Sequence, residues 1–184
     1  MPKKTPEAYV ALLRGVNVGG KNLLPMKDLA AMFEKAGCAD VRTYIQSGNV
    51  VFRADAAVAT RISETISRAI AAKFRIAVPV VVRSANDLRR VAKSHPFLGV
   101  DADTSSLHVA FLADEPTADA IAGLDPRRSP PDEFRVLGRE IYLRCPNGVG
   151  KSKLTNAWFD SKLATTSTAR NWNTVTKLLE LASG

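Results

Sequence analysis

Two short apolar runs, residues 9–13 and 107–112, lie in the two halves of a chain of 184 residues. Each run is too short for a buried helix, and each is nearly all apolar at successive positions and not only at alternate ones. A strand whose two faces are both buried has this composition. The sequence therefore predicts two sheets, each covered by helices on one face and, we expect, by the other half of the chain on the opposite face.

The segments around the first run predict a β-α-β-β-α-β order. Apolar residues at helical spacing predict a helix over residues 26–36, and Gly37 is a typical stop. The turn residues 46–49 predict a hairpin. The other predicted elements of this half are the hairpin strands 41–45 and 50–53, a helix at 57–74, a strand at 78–83 and a short helix at 86–93. This order is that of the split β-α-β, or ferredoxin-like, arrangement.

The second apolar run begins the same order again. The pattern predicts a strand at 107–112, a helix at 117–123, hairpin strands at 134–137 and 140–144, a helix at 152–163, an edge strand at 165–168 and a last helix at 171–182. We therefore predict an α+β fold of two ferredoxin-like halves in tandem, the second less complete, with a C-terminal helix. The halves span residues 1–94 and 105–184, and residues 94–104 are predicted to be a linker.

The connection after the first strand has an unusual composition. Residues 14–22 contain three glycines, two asparagines and two cations. Glycine accepts positive φ angles and lets backbone N–H groups approach a ligand closely, so this composition at a strand-to-helix junction is typical of an anion-binding loop. In a split β-α-β, the hairpin turn at 46–49 lies at the same end of the sheet. The candidate ligand-binding residues at this end are Arg14, Asn17, Lys21, Asn22, Gln46, Ser47 and Asn49.

A purely structural role is the alternative for these two loops. Asparagine, serine and glycine are also the ordinary residues of turns, because they form local hydrogen bonds and accept left-handed backbone angles. Asn17 and Asn49 would then join the two loops to each other. The sequence leaves both alternatives open.

A second segment rich in glycine and lysine follows the strand at 140–144. Its Gly150-Lys151-Ser152 sequence resembles the end of a Walker A loop, but Cys145 stands where that pattern requires its first glycine. We therefore reject a nucleoside triphosphatase. A weaker prediction remains, that the free N–H groups at a helix start near residue 152 bind a phosphate together with Lys151 and Lys153.

The distribution of charge favours an anionic partner. The chain has a net charge of +8, with 16 Lys and Arg against 7 Asp and Glu in residues 1–100, 4 against 9 in residues 101–143, and 6 against 2 in residues 144–184. We expect a phosphate-bearing or other anionic small ligand, with nucleic acid bound through loops as the alternative. An enzyme is the third hypothesis, because Tyr44 and Ser47 have no neighbouring base in the sequence.

The rest of the sequence offers little chemistry. His95 falls in the predicted linker, His108 falls in an apolar strand, and Cys38 and Cys145 have no metal-ligand spacing. No apolar run approaches the ~20 residues of a membrane span, and the basic N-terminus is a poor signal peptide. We expect a cytoplasmic protein with reduced thiols, no cofactor and no membrane partner.

Three stretches resemble the signature of an uncharacterised bacterial family of domains of unknown function. They are LLRGVNVGGKN at residues 12–22, YIQSGNVVF at 44–52 and TARNWNTV at 168–175. The resemblance spans essentially the whole chain and implies the tandem ferredoxin-like architecture, without an established activity. It also adds Arg170 and Asn171 to the candidate residues and marks Trp172, which fits the apolar stripe of the last helix as well.

Overall fold

The computed structural model describes residues 5–99 and 103–184 and divides the chain into two compact units. The first unit comprises the described residues up to Arg89 together with Leu178–Gly184, and the second is Arg90–Lys177. The domain division at residues 94 and 105 stays a prediction. No helix within the described ranges is both long enough and apolar enough to cross a membrane.

The first unit contains a four-stranded antiparallel sheet. Its strands lie in the order β2-β3-β1-β4, so β1 and β2 run parallel with β3 between them, as the split β-α-β predicts. The third helix begins in this unit and ends in the second. The elements are β1 (Glu7–Leu13), α1 (Met26–Lys35), β2 (Ala39–Tyr44), β3 (Asn49–Ala54), α2 (Ala56–Phe74), β4 (Val80–Ser84) and α3 (Ala85–Ser94).

The second unit repeats this topology. Its strand order β6-β7-β5-β8 is the same, which confirms the tandem fold. This half is smaller in its helices and not in its sheet, since α4 and α5 have 5 and 8 residues against 10 and 19 in α1 and α2. The elements are β5 (Leu107–Leu112), α4 (Ala118–Ala122), β6 (Glu133–Leu137), β7 (Glu140–Arg144), α5 (Asn156–Leu163), β8 (Ser167–Asn171) and α6 (Trp172–Ser183), whose residues from Leu178 onward belong to the first unit.

The first strand of each sheet is buried on both faces. Residues 10–13 of β1 have no exposed surface, and every residue of β5 is buried. In the first core the Phe33 and Phe52 ring centroids lie 5.1 Å apart, and in the second core the Phe134 and Phe159 centroids lie 5.5 Å apart. Burial of the central strand on both faces therefore explains its continuous apolar sequence.

The start of α5 differs from the prediction. The helix begins at Asn156 and not near residue 152, because the Thr155 hydroxyl accepts a hydrogen bond from the Trp158 N–H at 3.2 Å and forms the N-cap. The Ser152 hydroxyl instead accepts from the Leu154 N–H at 3.0 Å, which forms a local turn before the helix. Serine and threonine are both good N-cap residues, and it is Thr155 that caps the helix.

The prediction of a linker at residues 94–104 is wrong for its first part, because His95 and Phe97 are buried in the second unit. The centroid of the His95 ring lies 4.8 Å from that of Trp172 and 5.1 Å from that of Tyr142. Its Nδ1 accepts from the Phe97 N–H at 3.3 Å, and its Nε2 lies 3.3 Å from the His108 carbonyl oxygen. Residues 100–102 of the predicted linker lie outside the described ranges.

The two histidines make the stability of the second unit depend on pH. Burial lowers the pKa of both His95 and His108 below the usual value of 6.5. The unfolded chain therefore binds protons at a pH where the folded protein does not, so the free energy of unfolding is largest above pH 6.5 and decreases as the pH falls below it. We expect the denaturant midpoint to fall between about pH 7 and about pH 5.5, an interval in which unperturbed carboxylates do not titrate.

The matched variant for this measurement is His108→Gln, whose amide can still donate toward the Ser106 carbonyl oxygen, 3.3 Å from Nδ1 of the histidine. We expect this variant to lose roughly half of the pH dependence. A wild-type midpoint that does not move over the interval would show that the histidines are not neutral and buried.

Candidate functional site

The connection from β1 to α1, residues 14–25, is here called the glycine loop, and residues 45–48 between β2 and β3 are called the hairpin turn. Gly19 and Gly20 form a two-residue turn with φ angles of 56° and 71°. The Lys21 N–H donates to the Val18 carbonyl at 3.0 Å and closes this turn. Positive φ at both central positions is the reason for two consecutive glycines here.

Asn17 joins the glycine loop to the hairpin turn. Its Nδ2 donates to the Leu24 carbonyl at 2.9 Å and to the Gln46 carbonyl at 2.7 Å, while its Oδ1 accepts from the Leu24 N–H at 2.8 Å. Asn22 closes the loop internally, because its Nδ2 donates to the Gly15 carbonyl at 2.9 Å. The two loops are thus neighbours at one end of the sheet, as the topology predicts.

The hairpin turn packs directly under the glycine loop. Asn49 is fully buried, and its Nδ2 donates to the Tyr44 carbonyl at 3.2 Å and to the Ser47 hydroxyl at 3.0 Å. The Gly48 carbonyl accepts from the Leu13 N–H at 2.8 Å. The structural alternative therefore accounts for the amides of Asn17, Asn22 and Asn49, whose contact with a ligand stays a prediction.

Other polar groups at this end are directed to solvent. Lys21 is exposed, and among the described residues it has no acidic partner. The N–H groups of Gly19 and Gly20 likewise donate to no acceptor in the described part of the chain. The Gln46 side chain is exposed, and Arg14 is half-buried with its backbone N–H donating to the Pro79 carbonyl at 3.0 Å. Lys21, the Gln46 side chain and the N–H groups of Gly19 and Gly20 can contact an anion without giving up a bond within the two loops.

The second-unit lysines do not lie at a helix start, so that part of the prediction is wrong, while contact of Lys151 and Lys153 with an anion stays a prediction. Lys151 ends a 3₁₀ turn, Val149–Lys151, and α5 begins only at Asn156. The Lys153 N–H donates to the Ser129 hydroxyl at 3.0 Å, and the Lys151 side chain lines a cavity of about 230 Å³ that Asp132 also lines. A carboxylate in this cavity opposes an anion.

Arg170 and Asn171 have structural contacts in the second unit. The Arg170 guanidinium donates to the Thr168 hydroxyl and to the Ala169 carbonyl, each at 2.9 Å, and burial lowers its pKa to about 10. Asn171 caps α6, since its Oδ1 accepts from the Thr174 N–H at 2.8 Å. Both positions therefore have a local explanation without a ligand.

The described residues offer few reactive groups. Burial raises the pKa of the Cys38 and Cys145 thiols to about 11, and it raises the pKa of Tyr142 to about 12. Within the same residues no group of three His, Cys, Asp or Glu is placed to bind a metal ion. The end of the first sheet that is formed by the glycine loop and the hairpin turn is here called the loop end. Its available chemistry is therefore that of a cation and of backbone N–H donors.

Sequence reasoning missed two features of this end. Gly48 is required by crowding, because a Cβ there would lie 2.6 Å from Val16 Cγ2 and 2.7 Å from Leu13 Cβ. Exposed aliphatic side chains surround the loops, and their presence in an otherwise polar stretch was the signal that could have revealed them. They are Val18, Leu23 and Ile45.

The second half shows which of these loops the fold needs. The connection from β5 to α4 is only residues 113–117, and the turn between β6 and β7 is only residues 138–139. The corresponding connections of the first half are residues 14–25 and 45–48. The same sheet topology thus forms with much shorter loops, so the length of the glycine loop is not required by the fold.

Comparisons with known proteins agree with this architecture. Residues 7–142 match the model of a family described as a protein of unknown function, DUF1697. The solved structure of a conserved bacterial protein, SP0830 from Streptococcus pneumoniae, superposes with a TM-score of 0.72 at 19% identity, over 96% of this chain and 99% of that chain. At this identity the likeness concerns the fold alone. No curated protein matches the chain.

Gly48 tests the packing of the two loops. Gly48→Ala should lower the free energy of unfolding by roughly 2–5 kcal/mol, since it combines the cost of a positive φ with a clash against Val16 and Leu13. The matched control is Gly20→Ala, which has a positive φ but open space around the added methyl group. We expect that control to cost about 1–2 kcal/mol in denaturant unfolding, and equal losses would contradict the packing.

A substitution of Asn17 tests the link between the glycine loop and the hairpin turn. Asn17→Ala removes three hydrogen bonds and places alanine at a φ of 54°, so we expect a loss of about 2–4 kcal/mol in the free energy of unfolding. Hydrogen exchange of amides in the hairpin turn should also become faster, because the bond to the Gln46 carbonyl is lost. The control is Asn173→Ala, at an exposed position of α6, which should change neither quantity. Unchanged exchange in the Asn17 variant would mean that the two loops are ordered independently.

Proposed function

Because this chain belongs to the DUF1697 family of unknown function, we propose its function from the loop end itself: it binds a phosphate-bearing or other anionic small ligand. The observation that carries this proposal is the exposed Lys21 ammonium beside the Gly19–Gly20 turn, with no acidic partner among the described residues. Residues 14–27 and 41–54, which form this end, contain no Asp or Glu. Asp28, the first acidic residue after this range, is paired with Lys73 at 2.7 Å, so it opposes an anion less than an unpaired carboxylate would.

The fixed shape of the loops supports the same proposal. Hydrogen bonds of Asn17 and Asn22 order the backbone before any ligand arrives. A preformed loop has less conformational entropy to lose on binding, so more of the contact energy appears as affinity. The ligand contacts come from Lys21, from the N–H groups of Gly19 and Gly20, and from Arg14 and Gln46 at the margin.

The short connections of the second half support a role beyond folding. A 12-residue connection loses more conformational entropy on folding than a five-residue one, and only two of its residues, Val16 and Leu24, are buried in the core. Its retention in an ordered form is consistent with a binding function. We further propose that the protein acts in the cytoplasm, where the free thiols of Cys38 and Cys145 stay reduced.

Lys21→Ala is the direct test of the binding site. We expect inorganic phosphate, pyrophosphate or a phosphorylated metabolite to raise the thermal midpoint of the wild type, and titration calorimetry to give the affinity. Loss of one charge-assisted contact should weaken binding at least about tenfold in Lys21→Ala. Lys27→Ala, on the exposed first turn of α1, is the matched control and should bind like the wild type.

The outcomes separate the hypotheses. Equal affinities for the Lys21 and Lys27 variants would overturn the loop site. Absence of any stabilisation by the whole anion panel would overturn anion binding by this protein. If only oligonucleotides bind, with an affinity that falls steeply as salt is raised, the nucleic-acid alternative replaces the small ligand.

A further inference from the structure

The two loops also carry the most exposed large aliphatic side chains of the described residues. Leu23 is 67% exposed, Val18 is 62% exposed and Ile45 is 50% exposed, whereas no other large hydrophobic side chain described in this chain exceeds 48%. Single exposed aliphatic residues are ordinary on protein surfaces. Three at the end that carries the candidate anion site need a common explanation.

All three positions adjoin the hydrogen bonds of Asn17. Leu23 precedes Leu24, whose N–H and carbonyl both bond to the Asn17 amide, and Ile45 precedes Gln46, whose carbonyl accepts from it. Val18 follows Asn17 and pairs with Lys21 across the tight turn. Residues that pair directly across an antiparallel turn have their side chains on the same face of the ribbon. The side chains of Val18 and Lys21 therefore lie on the same face of this turn.

Ile45 occupies a strained position. Its φ of 49° lies in the left-handed region, which costs a β-branched residue roughly 1–2 kcal/mol. Burial does not compensate this cost, because half of the side chain is exposed. Glycine or asparagine would adopt the same backbone more easily. An isoleucine at this position therefore fits a side chain that contacts something outside the chain.

We infer, resting on the proposed function, that the ligand is amphiphilic: its anionic group contacts Lys21 and the Gly19–Gly20 turn, and its hydrocarbon part covers Val18, Leu23 and Ile45. An alkyl phosphate has this chemistry, whether it is a free metabolite or the headgroup end of an anionic lipid. The sequence expectation of no membrane partner rested on the lack of a spanning segment, and contact with a lipid headgroup requires none.

A series of alkyl phosphates tests this inference. Inorganic phosphate and butyl, hexyl and octyl phosphate, each below the concentration at which it forms micelles, are titrated into the full chain by calorimetry. Complete burial of a methylene group is worth about fourfold in affinity, so partial burial on an exposed surface should give about twofold for each added methylene. An affinity that does not depend on chain length overturns the inference.

A triple variant, Val18→Ser with Leu23→Ser and Ile45→Ser, assigns the effect to these side chains. It should keep the wild-type affinity for inorganic phosphate and lose the dependence on chain length. Because the three side chains are exposed, we expect an unchanged circular dichroism spectrum. The two-residue variant Val18→Ser with Leu23→Ser, which leaves the hairpin turn intact, should lose most of the same dependence.

The control changes the next most exposed large aliphatic residues among those described, Leu98, Leu137 and Val149 of the second unit, to serine. It should keep the full dependence on chain length, and loss of that dependence in this control would overturn the assignment to the loops. Lys21→Ala should weaken every member of the series by the same factor. This pattern separates the anionic contact from the apolar one.

The remaining outcomes distinguish this inference from the proposed function. If inorganic phosphate binds in a Lys21-dependent way but chain length has no effect, the proposed function stands and the inference fails. If no member of the series and no other anion binds, both fail. Cosedimentation with phosphatidylserine vesicles, compared with phosphatidylcholine vesicles, identifies the source: binding to anionic vesicles indicates a lipid headgroup, and binding of the alkyl phosphates alone indicates a free ligand.

Discussion

The three hydrogen bonds of the Asn17 side chain determine the arrangement of the whole loop end. They fix the residues before α1 through Leu24 and the hairpin turn through Gln46, although these segments are separated by more than twenty residues in sequence. Asparagine is suited to this position because its amide both donates and accepts, and because it tolerates the φ of 54° found there. An aspartate side chain would accept hydrogen bonds without donating any, so the bonds to the Leu24 and Gln46 carbonyl oxygens would be lost. The placement of Lys21 and of the exposed aliphatic residues depends on this one amide.

An exposed loop of this length is ordinarily among the least stable parts of a fold, since it buries little apolar surface. Here the order comes from polar contacts and from a few special backbone angles. Val16 and Leu24 provide the only two buried apolar anchors within the glycine loop, and Gly48 lets the turn approach Val16 closely. The buried side of the glycine loop is thus held by Val16 and Leu24, while its other side is exposed to solvent. Such an arrangement leaves the exposed groups free to bind without reordering the backbone.

Much of the fold could be predicted because apolar periodicity reports it directly. The sequence located strand β7 to the residue, and the proximity of the two loops followed from topology alone.

The predictions that failed have local causes. Ser152 and Thr155 are both competent caps by residue type, and the sequence alone does not distinguish Thr155, which caps α5, from Ser152, which forms a local turn. His95 stands between serine and proline, a composition typical of linkers, and its burial among aromatic rings depends on tertiary contacts. The partners of the loop amides could not be read from sequence, because the same residues serve turns and ligands equally well.

Comparison of equivalent positions in the two halves separates features of the shared fold from features of one half. Arg83 on β4 pairs in register with Val10, and Arg170 on β8 pairs with Val109, so each sheet carries an arginine at the same position, fully buried in the first sheet and half-buried in the second. Each guanidinium also donates to the carbonyl of the preceding residue. A feature that recurs in both halves is explained by what the halves share, which is the fold. The glycine loop occurs in one half only, and its partner connection, residues 113–117, completes the same topology without it. A feature peculiar to the first half is not explained by the shared fold, and our proposal that it binds a ligand accounts for Lys21, which has no acidic partner among the described residues, and for the exposed aliphatic residues on that loop.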